Sequence, residues 1–147
     1  MEELQFAINI HASKQDIWRV LWSDVTFRLW AGIIDPGTYM VGELEEGHTV
    51  QFISSENGYG VTSLVEKVAP NEYLLLRHRA DTQSTGLELR EEEWTGGSET
   101  YLLEEKGDKV HLTVTFDVPS EQKRHFEQTY PLALEKVKEL AEGTKLI

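Results

Sequence analysis
The chain of 147 residues has no cysteine, only four prolines, and 14 basic residues against 26 acidic ones. The absence of cysteine excludes disulfides, cysteine nucleophiles and thiolate metal sites together. A formal net charge of −12 argues against nucleic acid as a partner, because affinity for phosphates rests largely on Lys and Arg displacing counterions. No apolar run approaches the ~20 residues a spanning helix needs, so no membrane insertion is expected. The start, Met1-Glu2-Glu3-Leu4-Gln5, is acidic and lacks the apolar stretch of a signal peptide, which makes a cytoplasmic location the expectation. What is present suits a packed core: 39% hydrophobic and 27% charged residues, over a length that fits one domain spanning 1–147.

Periodicity organises the chain. Leu4, Phe6, Ile8 and Ile10 alternate with polar or small residues, the mark of a half-buried strand. Ser13 is a suitable N-cap, Asp16 adds negative charge to the first turn, and Ile17, Val20 and Leu21 follow at helical spacing. A second short helix is expected after Asp24, whose side chain can cap, carrying Phe27 and Trp30 and ending in the 32–37 stretch around Asp35-Pro36-Gly37. The period then returns to two. Strands are predicted over 39–45, 48–54, 61–68, 73–79, 98–105 and 109–118, with turns at Glu46-Gly47, Asn57-Gly58, 69–72 and Gly107-Asp108. The 80–97 stretch is irregular and reads as either a long loop or a short helical insert.

Ser120 and Glu121 have the character of a helix start, and Phe126, Tyr130, Ala133, Leu134, Val137, Leu140 and Ala141 form one apolar stripe behind them. Pro131 lies within that stripe and predicts a kink near 126–127; Gly143 ends the helix. The predicted fold is α+β: one strand, two short helices, six further strands and a long helix. The seven antiparallel strands need an apolar partner, and the last helix is the large one available. A curved sheet wrapped around a long helix leaves a cavity between them, and a mostly apolar pocket with a few polar anchors is the usual form of a small-molecule site.

This order of elements resembles the START-like helix-grip superfamily (SRPBCC), together with Tyr101-Leu102-Leu103-Glu104-Glu105, the 110–115 strand and the 126–140 helix. Within it, the chain is most similar to bacterial relatives of the C-terminal domain of the activator of the ninety-kilodalton heat-shock chaperone's ATPase. Many relatives carry Gly-Trp early in the last helix, where this chain has Thr129-Tyr130. The resemblance implies a deep hydrophobic cavity, used across the superfamily for lipids, polyketides, sterols and plant hormones. It also implies a chaperone as an alternative partner. A shared fold does not transfer a ligand.

The candidate ligand-binding residues are Trp22, Phe27, Trp30, Phe52, Leu76, His78, Phe116, Phe126 and Tyr130. His78 shares strand parity with Leu74 and Leu76, so it faces the cavity as a polar anchor or weak base, or sits in the core as a satisfied histidine. By the same parity, His11 and His111 face outward. No catalytic residue, metal ligand or cofactor is expected. The five histidines have no metal-binding spacing, no nucleophile-elbow sequence holds a serine, and Gly58-Tyr59-Gly60 belongs to a hairpin, not to a phosphate loop. Glu88 and Glu91-Glu92-Glu93 could act as paired carboxylates or hold a hard cation, but contiguous like charges point apart and read as a solvated loop. The leading expectation is a non-enzymatic module that binds a small hydrophobic or amphipathic molecule. The alternatives are a co-chaperone that activates a heat-shock chaperone's ATPase, and a cyclase- or hydratase-type enzyme using the same cavity.

Overall fold
Period-two segments form strands in the computed structural model, which describes residues 2–56, 59–83, 86–89 and 96–143. The elements are β1 (Glu2–Ile10), α1 (Lys14–Trp22), α2 (Asp24–Ile34), β2 (Thr38–Val41), β3 (Thr49–Ser54), β4 (Tyr59–Ala69), β5 (Tyr73–Gln83), β6 (Gly86–Leu89), β7 (Ser98–Lys106), β8 (Lys109–Val118), a 3₁₀ turn (Ser120–Gln122) and α3 (Lys123–Gly143). Seven strands follow the antiparallel path β1-β8-β7-β5-β4-β3-β2, and β6 pairs with β5 off that path. The sheet curls around α3, giving the α+β helix-grip arrangement. No helix among the described residues is long and apolar enough to cross a membrane.

Strict alternation in β8 explains the grip. Val110, Leu112, Val114, Phe116 and Val118 are all buried on one face. They share a core with Phe126, Tyr130, Ala133, Leu134, Val137 and Ala141 of α3. Each large apolar side chain removed from water in this way contributes roughly 1.5–3 kcal/mol before chain entropy opposes it. Helix α3 runs unbroken through Pro131. Its polar end is tied back to β1, since a Glu142 carboxylate oxygen accepts the His11 backbone N–H at 2.9 Å and the other accepts Lys138 Nζ at 3.1 Å.

The Glu142 carboxyl is held below its ordinary value of 4.5, chiefly by that backbone N–H. A carboxyl lowered on folding contributes stability that is complete above its ordinary value and is lost as pH falls through the folded one. Urea unfolding followed from pH 7 to pH 3 should therefore show a shallower acid decline in Glu142→Gln than in the parent. Equal slopes below pH 4.5 would remove this assignment.

Several local expectations are corrected. Strand β2 ends at Val41, because Gly42 adopts φ +106° and turns the chain. Helix α2 continues through Gly32 to Ile34. Asp24 does not cap it: Ser23 occupies the N-cap position, and Asp24 Oδ1 accepts Arg28 Nε at 3.0 Å from within the first turn. Ser13 does cap α1, accepting the Asp16 N–H at 3.1 Å. Ser120 lies inside a 3₁₀ turn ahead of α3, and the N-cap position of that turn is held by Pro119. Part of the irregular stretch is sheet, with β5 running to Gln83 and β6 folding back onto it. Asn57-Gly58, Glu91-Glu92-Glu93 and Trp94 lie outside the described residues.

Candidate ligand-binding cavity
Between the inner face of the sheet, α2 and the start of α3 lies a cavity of about 380 Å³. That is near the lower end of the ~300–1,000 Å³ typical of small-molecule sites. Each wall follows from a periodicity. On α2, Phe27, Trp30, Ala31 and Ile34 recur at three- and four-residue steps, so one helical stripe faces inward. On α3, Phe126 and Tyr130 stand one turn apart. The sheet supplies Phe52 and Phe116.

These aromatics hold one another. Phe27 meets Trp30 edge-on at 5.2 Å and Phe52 at 5.9 Å. Phe116 lies 5.2 Å from Phe126 and 5.0 Å from Tyr130. Trp30 Nε1 donates to the Leu21 carbonyl at 3.1 Å, one of the carbonyls that the end of α1 leaves without an intrahelical partner. The rim includes Asp35, Thr38 and Gln122, all at least partly exposed. Burial raises the Asp35 carboxyl above its ordinary value, partly offset by His125, whose Nε2 is 3.6 Å from Asp35 Oδ1.

Opposite this aromatic wall runs a line of polar groups on adjacent strands. Ser63 and His78 face each other across β4 and β5 at a register shift, and Ser63 Oγ lies 2.7 Å from His78 Nδ1. The other ring nitrogen, Nε2, is 3.6 Å from Glu99 Oε1. Tyr101 donates its hydroxyl to Glu99 Oε2, and its oxygen is 3.0 Å from the Tyr130 hydroxyl. Burial, followed by the Glu99 charge, pushes both tyrosines well above their ordinary value of 10, so they remain neutral hydroxyls. Ser63 is fully buried and is not part of the cavity wall, so it acts as a support for the imidazole.

Seven of the nine candidate residues meet at this cavity: Phe27, Trp30, Phe52, His78, Phe116, Phe126 and Tyr130. Trp22 and Leu76 are not among its lining residues. Trp22 stands behind the wall, its ring 4.8 Å edge-on to Tyr101, and its buried Nε1 has no hydrogen-bond partner among the described residues. Leu76 is completely buried in the core on β5. Glu99, Tyr101, Asp35 and Ser63 were not anticipated. Parity on β7 held the signal for two of them, since Leu74 pairs with Tyr101 and Leu76 with Glu99, placing both beside inward-facing residues. The cavity is accordingly less apolar than the superfamily resemblance implies. No group of three or more metal-ligating side chains occurs among the described residues.

The chain matches no protein-family model and no curated protein. Solved structures do match along nearly its whole length. The Aha1 dimer from Colwellia psychrerythraea superposes with a TM-score of 0.73 at 20% identity, covering 97% of both chains. Protein MLL2253 from Mesorhizobium loti gives 0.73 at 17% identity over 97% of this chain and 98% of its own. Protein CV1439 from Chromobacterium violaceum gives 0.70 at 12%, over 97% and 99%. At these identities the likeness establishes the fold, of the helix-grip type, and goes no further.

Proposed function
We propose that this protein is a binding module whose ligand, a small hydrophobic or amphipathic molecule, lies between α2, α3 and the sheet. One observation carries the reading: a 380 Å³ space walled by aromatic side chains is left open where a folded core would ordinarily close. Phe27, Trp30, Phe52, Phe116, Phe126 and Tyr130 would supply apolar contact, with His78 and its neighbours orienting a polar tip. Trp22 and Leu76 would act from behind, holding the wall in place. Titration with a panel of lipids and aromatic compounds should change the emission of Trp30 and yield a one-to-one complex in native mass spectrometry. Enlarging Ala31 to Leu, which intrudes on the cavity, should weaken that binding. No complex and no change in emission across the panel would overturn the reading.

His78 and Glu99 facing the same space favour a second reading, an acid–base enzyme of the cyclase or hydratase kind. Conversion of a bound ligand, lost in both His78→Ala and Glu99→Gln, would support it; unchanged ligand recovered from the complex would exclude it. A chaperone-activating role draws on likeness to the Aha1 structure alone. Binding to the host chaperone at low salt, weakening as salt rises, is the expected sign of such docking by an acidic surface.

A further inference from the structure
The direction of the protons along the polar line narrows the ligand class. Tyr101 has one hydroxyl proton, and it goes to Glu99, because a carboxylate can only accept. The 3.0 Å bond between the two tyrosines must then use the proton of Tyr130. On the other side, Glu99 Oε1 lies 3.6 Å from His78 Nε2, beyond hydrogen-bond length. His78 Nδ1 is 2.7 Å from Ser63 Oγ. The hydroxyl protons of Tyr130 and Tyr101 are thus both directed along the line toward Glu99. What the tyrosine end of this line offers the cavity is lone pairs, on the Tyr130 oxygen and on Glu99.

Charge points the same way. The cavity's charged lining groups are the carboxylates of Glu99 in the interior and Asp35 at the rim, and none of its described lining residues is Lys or Arg. Trp30, Phe27 and Phe116 line the same space, and aromatic rings attract a cation placed over them through their quadrupoles. A formal net charge of −12 enriches cations around the whole molecule.

We infer that the cavity selects an aromatic or aliphatic amine, with its ammonium directed to Glu99 and Tyr130 and its apolar body against the α2 and α3 aromatics. A carboxylate or phosphate tip would meet acceptors and like charge. This inference rests on the ligand-cavity reading and deepens it.

The test is isothermal titration calorimetry of the intact protein with two matched series: 4-phenylbutylamine, 4-phenylbutanol and 4-phenylbutanoate, and the naphthylethyl amine and alcohol with naphthylacetate. The amine should bind at least about tenfold tighter than the alcohol in each series, with the carboxylate weakest. Glu99→Gln should bring amine and alcohol within about threefold of each other. Asp35→Asn at the exposed rim, which places no demand on the buried hydrogen bonds, should reduce the amine preference without abolishing it. Alcohol or carboxylate binding as tightly as the amine overturns this inference and leaves the ligand-cavity reading in place. Binding by no member of either series overturns both.

Discussion

Trp30→Ala should lower the unfolding free energy by about 3–5 kcal/mol, the cost usual for removing a buried tryptophan and leaving a void. Trp30 is 2% exposed and has aromatic neighbours on two sides, Phe27 at 5.2 Å and Trp22 at 6.2 Å. Its indole N–H also caps α1 from α2 by bonding the Leu21 carbonyl, so the side chain fastens the two short helices together. Trp30→Phe separates the contributions. It keeps most of the apolar volume but abandons the carbonyl, and should cost about 1–3 kcal/mol. Urea denaturation followed by far-ultraviolet circular dichroism measures both. If the Phe variant matches the parent while the Ala variant is strongly destabilised, packing alone holds α1 against α2. Equal stability of all three would contradict the structure at this corner.

Gly60→Ala is the second large effect, with an expected loss of at least about 3 kcal/mol. A Cβ at this position would overlap the Phe52 carbonyl oxygen and come within 2.8 Å of the Ile53 Cα. Both obstacles are backbone of the paired strand, where Ile53 stands opposite Gly60. Side-chain rotation cannot relieve the clash, so β3 and β4 must separate or shift. Phe52 lies in the segment that would move, and Gly60 itself borders the cavity, so ligand affinity should fall with stability. The same denaturation experiment, paired with titration of whichever panel compound binds the parent, tests this. Gly47→Ala provides a comparison: it has positive φ but no atom within 4 Å of the added methyl, and should cost only the strain of its turn. A Gly60→Ala variant no less stable than Gly47→Ala would rule out the close approach of the two strands.

The contrast between these glycines also shows why some features were legible in the sequence. A turn glycine announces itself through its neighbours, as Gly107-Asp108 does between two alternating strands. A glycine needed for close approach leaves no pattern, since the atom it avoids belongs to a segment that pairs with it only in the folded sheet. The polar line divides similarly. His78 could be placed facing inward because β5 alternates regularly from Leu74 to that point. Ser63 could not, because it sits at a register shift against β5, where both Thr62 and Ser63 are buried and alternation fails. Trp22 and Leu76 were candidates by helix face and strand parity. Those properties distinguish inside from outside, but they do not distinguish lining a space from packing behind its wall.

By itself, the sequence determined the α+β class, the order of the main strands and helices, the faces they bury, and the aromatic character of the interior. These are consequences of period and composition, which act locally along the chain. Tertiary structure alone decided that Glu99, Tyr101 and Tyr130 share one hydrogen-bonded line with His78 beside it, contributed by β5, β7 and α3. It also decided that an open volume remains beside them. Contacts between residues 21 and 29 positions apart, and voids between curved layers, depend on register and sheet curvature, and those exist only once distant strands have paired.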